Sequence, residues 1–180
     1  MMEVIKTGTH NTNTNSHNKT FNLQFFLNET CKDALNITEF VNSIQLQLED
    51  LENTAKKGYV SGISNIIIKE LKDLDINKRP IHCSDLKRET IYIKDNNTWE
   101  KENEEKEKMK QVIQEVTNKN VKQIPSWLEG HPKAFDYYHP DNEEYMQLLI
   151  SCMPGSTKEE QEENVKKIMK NLSKEVVIDK

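Results

Sequence analysis

The hydrophobic period changes twice along this chain, and those two changes limit what it can fold into. Between residues 59 and 74, Val60, Ile63, Ile67, Leu71 and Leu74 recur at helical spacing. Pro80 then forbids further helix and drives Arg79 toward extended geometry. In "RPIHCSDLKRETIYIKDNNTWEKE", residues 79–102, the period falls to two. Ile91 and Ile93 share one face there, and Tyr92 and Lys94 share the other. "DNNT" has turn chemistry, because Asp and Asn tolerate left-handed angles and bond their own backbone. Trp99 opens a third short strand. The spacing predicts a small antiparallel meander over residues 81–101. After Glu102 the helical period returns with Met109, Val112, Ile113 and Val116. The fold class that follows is α+β, mainly helical, with one small sheet.

The flanking segments read as follows. Residues 1–20 are polar, rich in Asn and Thr and aperiodic, and are expected to form a disordered leader. A single α+β domain is expected over residues 21–180. Phe21, Leu23 and Phe25 alternate as a short extended segment. Asn28 is placed as the cap of a short helix with Cys31, Ala34 and Leu35 facing inward. A helix starting at Thr38 carries Ile37, Phe40, Val41, Ile44, Leu48 and Leu51 on one face. Gly58 ends it after Lys56 and Lys57, and Ser61 caps the next helix. "IPSWLEGHPKAFDYYHPDN" is a loop with one helical turn at Trp127, and the aromatics of "HPKAFDYYHP" within it are expected to pin the loop to the core. Tyr145, Met146, Leu148, Leu149 and Cys152 mark a helix that Pro154-Gly155 ends. Thr157 and Glu160 form a capping box. The last helix follows, with Val165, Ile168, Met169 and Leu172 as its stripe. Trp99 is expected to anchor the meander to the helices.

Several functions are disfavoured. The formal net charge of -5 argues against nonspecific coating of nucleic acid, which needs an excess of Lys and Arg. No apolar run approaches a membrane span, and the first residues lack the apolar centre of a signal peptide. Cys31, Cys83 and Cys152 are odd in number and far apart, which fits reduced thiols rather than a disulfide framework. Five glycines in no phosphate-binding arrangement leave neither a P-loop nor a dinucleotide fingerprint. His82 and Cys83 are adjacent strand residues and point to opposite faces, so they are not expected to share a metal or a catalytic step. No catalytic residue, metal ligand or cofactor is assigned.

One concentration of positive charge remains: Lys78, Arg79, Lys87, Arg88 and Lys94, assigned as contacts to nucleic acid or to a protein partner. Helices followed by a strand and a hairpin match the order of a winged helix. In that reading residues 59–74 are the recognition helix and "IKDNNTWE" is the wing tip. Glu70, Asp73 and Asp75 on that helix speak against it.

The chain also resembles an uncharacterised family of giant DNA virus (mimivirus-like) proteins. The stretches that carry the resemblance are "FNLQFFLNETCKDALNITEFVNSIQLQLEDLENTAKKGYVSGISNIIIKELKDLDINKRPIHCSDLKRETIYIKDNNTWEKE", "NKNVKQIPSWLEGHP" and "MPGSTKEEQEENVKKIMKNLSKEVVIDK". The resemblance implies a viral source and an intracellular place, in the viral factory of the host cytoplasm or in the virion. It carries over no activity and no site residue. Longer members often have an N-terminal Cys/His zinc finger, which implies a nucleic-acid link for them; here no cysteine precedes Cys31. The expected function is a non-enzymatic viral accessory or interaction domain with a protein partner. The alternative is a winged-helix-like DNA- or RNA-binding protein.

Overall fold

The computed structural model describes residues 20–180, so the expected leader lies outside the described residues but for its last position. Helix α1, Leu23–Phe25, is capped by the Asn22 side chain and runs straight into a π-turn over Phe26–Thr30, where the Cys31 N–H reaches the Phe26 carbonyl. The segment expected to be extended is therefore helical, and Asn28 lies inside it rather than at its cap. The short alternation of Phe21, Leu23 and Phe25 cannot distinguish a strand from a wide helical turn.

The stripe from Ile37 to Leu51 is interrupted. It forms α2, Ile37–Ser43, and α3, Leu48–Lys57. Each has its own capping box: the Asn36 N–H donates to Glu39 at 2.8 Å, and the Gln47 N–H donates to Asp50 at 2.8 Å. Lys119 holds the break open. Its ammonium donates to the carbonyls of Val41, Asn42 and Ile44, at 2.8, 3.2 and 3.1 Å. Gly58, with φ of +84°, ends α3 and caps α4, Tyr59–Lys72, so Ser61 lies inside α4. A Cβ on Gly62 would stand 2.7 Å from the Thr54 backbone, so glycine there lets α3 and α4 cross closely.

The meander forms as expected: β1, Ile81–Asp85; β2, Thr90–Asp95; β3, Thr98–Lys101, all antiparallel in that order. Asn96 and Asn97, with φ of +48° and +62°, make the two-residue turn of the second hairpin. Ile81, Cys83, Ile91 and Ile93 are buried on one face, against the helices. Four helices follow: α5, Glu107–Val121; α6, Ile124–Gly130; α7, Pro140–Ser151; and α8, Lys158–Glu175. The Thr157 hydroxyl accepts the Glu160 N–H at 3.1 Å, but the Glu160 carboxylate accepts the Ser156 N–H at 2.7 Å rather than that of Thr157, so only one half of the expected capping box forms. Beyond α8, the Cys83 N–H donates to the Val176 carbonyl and the Ile178 N–H donates to the Cys83 carbonyl, at 2.8 and 2.9 Å.

Two hydrophobic clusters result. The larger joins α2, α4, α5 and α8 to the sheet through Phe40, Ile63, Ile67, Leu71, Ile113 and Ile168. The smaller joins α3, α6 and α7 through Leu51, Trp127, Ala134, Leu148 and Cys152. Between them lies a polar junction. Buried Asn120 donates to the Thr54 hydroxyl at 3.2 Å and accepts from Gln123 at 3.3 Å. No helix among the described residues is long and apolar enough to cross a membrane.

Candidate functional site

The five basic residues do not form one face. Lys94 points to the far side of the sheet and is buried there. Its ammonium donates to the carbonyls of Lys32 and Ala34, the latter at 2.9 Å. Arg79 is mostly covered, with its guanidinium 3.4 Å from the Glu175 carbonyl and 4.0 Å from the Glu175 carboxylate. Lys78 is half-buried in a 3₁₀ turn whose carbonyl accepts the Leu35 N–H. Only Lys87 and Arg88 are exposed, at the β1–β2 turn. The Asp85 carboxylate accepts both of their backbone N–H groups, which holds its pKa low, the Arg88 N–H contributing most. A run of basic residues read along a sequence hides this scatter, because strand alternation and burial assign each residue separately.

The presumed recognition helix and wing are both engaged. Helix α4 buries Tyr59, Ile63, Ile66, Ile67 and Leu71 and packs against α3, α5 and α8. At the hairpin tip the Asn97 N–H donates to the Asn36 side chain at 2.7 Å, and Lys108 pairs with Asp95 and Glu100 at 3.0 and 2.7 Å.

The far face of the sheet holds a pairing that sequence order concealed. Cys31 Sγ lies 3.5 Å from His82 Nε2, and both side chains are buried. The Phe26 ring meets the His82 ring edge-on at 5.1 Å, and the Trp99 ring lies tilted to it at 5.4 Å. Trp99 thus lies on the far face of the sheet beside His82, not between the sheet and the helical core as expected, and it is only half-buried. Burial pushes the Cys31 thiol up to about 11 against the opposing pull of Lys94. Burial, and then Arg79, pushes His82 down to about 4. A nucleophilic thiolate beside an imidazolium needs the opposite shifts. Cys31 and His82 are therefore a neutral packing pair.

This pair has a consequence for acid stability. His82 takes a proton near 6.5 in the unfolded chain but only near 4 in the fold. Its depressed pKa contributes stability that is complete above the unfolded value and is lost as pH falls toward the folded one. The expected loss is about 3 kcal/mol between roughly pH 6.5 and pH 4. Urea melts of the wild type and His82→Phe at both pH values read it directly: on acidification the wild type should lose that much more stability than the variant. A gap independent of pH would show that His82 charges normally in the fold.

The strongest candidate for a functional surface is the lobe built by α6 and α7. Helix α6 begins with Pro125 in its first turn, where the missing N–H costs nothing. Trp127 points inward, and the His131 ring lies flat on it with centroids 3.7 Å apart. A chain of turns then runs to His139, whose ring nitrogen accepts the Asp141 N–H at 3.2 Å and starts α7. Ala134 is fully buried, and its carbonyl accepts from Asn142 at 2.7 Å. Ala134 and Trp127, rather than the loop aromatics, pin this segment. Phe135, Tyr137 and Tyr138 stand outward, at 73%, 81% and 92% exposure. Met146 and Ile150 are exposed as well, at the i and i+4 positions of one stripe on α7, and so is Met153, just past the C-cap Cys152. Six of the twelve exposed large hydrophobic side chains of the described chain thus fall between residues 135 and 153. The i, i+4 spacing of Met146 and Ile150 is the sequence signal for this face, and it is masked by Tyr145, Leu148, Leu149 and Cys152, which supply a second apolar stripe on the same segment.

Among the described residues no group of three or more His, Cys, Asp and Glu is arranged to hold a metal ion. Compared with protein families, curated proteins and solved structures, the chain matches none.

Proposed function

We propose that this chain is a non-enzymatic interaction domain that docks a protein partner through the outer face of its α6–α7 lobe. One observation carries the reading: Phe135, Tyr137, Tyr138, Met146, Ile150 and Met153 are exposed within one short segment, although the same fold buries its other apolar stripes. Exposed apolar side chains scattered singly are ordinary, whereas a concentration of them marks an interaction surface. Aromatic residues and methionine are the types enriched at protein interfaces. The resemblance to giant-virus proteins supports an accessory role inside an infected host cell or in the virion. Less supports the alternative, a winged-helix-like binder of DNA or RNA: α4 is enclosed, the hairpin tip is tied to α2, and Arg79 and Lys94 are occupied by internal contacts.

Site-specific photocrosslinking tests the reading. A photoreactive phenylalanine analogue at Tyr138 should give discrete adducts in cells that make the protein. The same probe at Leu86, exposed on the β1–β2 turn, should not. The Met146→Glu, Ile150→Glu double variant should abolish the Tyr138 adducts and leave the thermal melt unchanged, because both positions face solvent. Equal crosslinking at Leu86 and Tyr138, or adducts that survive the double variant, would refute the assignment.

A further inference from the structure

Beside the exposed stripe lies a groove of about 470 Å³ between α3, α6 and α7. Its floor includes Ala55, Trp127 and Leu148. Its rim carries Glu52, Glu143 and Glu144 against the single charge of Lys56. None of the three carboxylates has an ion-pair partner among the described residues. Along α7, Glu143 and Gln147 continue to Ile150 at i, i+4 and i+7, so the groove's wall runs directly into the exposed apolar stripe.

We propose that the occupant of this groove is a basic amphipathic helix. The proposal rests on the interaction reading above and adds the chemistry of the partner. An apolar floor takes the hydrophobic face of a helix laid into it. Three free carboxylates on the rim select Lys or Arg on the flanks of that helix and repel acidic ones. The same charge disfavours two other occupants. A second copy of this chain brings a formal net charge of -5, and nucleic acid brings phosphates. Each would meet the rim with like charge.

The test uses the full chain and three labelled peptides of about 18 residues, read by fluorescence anisotropy at about 150 mM salt. One has leucines at i, i+3, i+4, i+7 with lysine elsewhere. The second replaces every lysine with glutamate. The third keeps the lysines and replaces the leucines with serine. The Leu/Lys peptide should bind, and the other two should not. Glu143→Gln with Glu144→Gln should weaken that binding by about tenfold or more, and added salt should weaken it for the wild type more than for the double variant. Both glutamates are solvent-facing, so the fold is expected to survive the change. Tighter binding of the Leu/Glu peptide, binding of the Ser/Lys peptide as strong as that of the Leu/Lys one, or equal affinity in the double variant would overturn the proposal and leave the interaction surface standing. Failure of all three peptides while the Tyr138 adducts persist would do the same. Loss of the adducts as well would overturn both readings.

Discussion

Trp127→Ala is expected to lower the unfolding free energy by about 3–5 kcal/mol, the largest effect of any single change in the smaller cluster. Trp127 is 3% exposed and is the bulkiest side chain among Leu51, Ala134, Leu148 and Cys152. Its removal also strips the surface on which the His131 ring lies. Collapse around the cavity is restricted. Helix α6 has only seven residues, and the following turn is tied to α7 by the Asn142 to Ala134 bond. The damage should be regional. Hydrogen exchange should quicken over α6 and α7 first, while β1 and β2 in the larger cluster stay protected. A cost under about 1 kcal/mol in urea melts would mean that the lobe repacks freely.

Lys94→Met is expected to be nearly as harmful, for a different reason. The Lys94 ammonium is the donor that the carbonyls of Lys32 and Ala34 share, and Lys94 itself is buried. Methionine preserves the apolar stem but supplies no donor. The buried Ala34 carbonyl left unpaired costs about 1–3 kcal/mol, and the part-buried Lys32 carbonyl adds less, for a total on the order of 2–4 kcal/mol. Loosening should show at the Cys31 thiol, which lies next to this loop. A thiol-reactive probe that ignores Cys31 in the wild type should label it in the variant. Unchanged stability together with an unreactive Cys31 would show that the two carbonyls find other donors. Lys94→Arg should not restore the wild type, since a planar guanidinium cannot take the place of a compact ammonium there.

What the sequence made legible follows from range. The meander, α4, α5 and α8 rest on period and on turn or capping residues a few positions apart, and each formed where the pattern put it. The errors share a cause. Ile37 to Leu51 fits one continuous stripe, yet Lys119 bonds the end of α2, a contact across 75 to 78 residues that no local window contains. The capping pair of Gln47 and Asp50 was there to be read, but Gln is a weak cap by rank and the apolar spacing outweighed it. Cys31 and His82 meet across 51 residues. The basic concentration failed for the same reason in reverse: its members are neighbours in order, but Lys94 and Arg79 are consumed by packing. The α6–α7 surface was hidden because periodicity reports that a helix has an apolar stripe, not whether another element covers it.

The tail beyond α8 bears on how this protein can bind anything. A small sheet ordinarily presents a row of open donors and acceptors along its outermost strand, a template on which a foreign peptide can add as one more strand. Here the polypeptide occupies that position itself: Val176 and Ile178 take up the N–H and the carbonyl of Cys83 on the free side of β1. At the opposite border, β3 is four residues long and carries Glu100 and Lys101, both features that discourage strand addition. Backbone-to-backbone recruitment is thereby discouraged on the sheet. The interaction surface proposed on α6 and α7 would instead use side chains on helical faces, where sequence rather than generic main-chain polarity decides which partner fits.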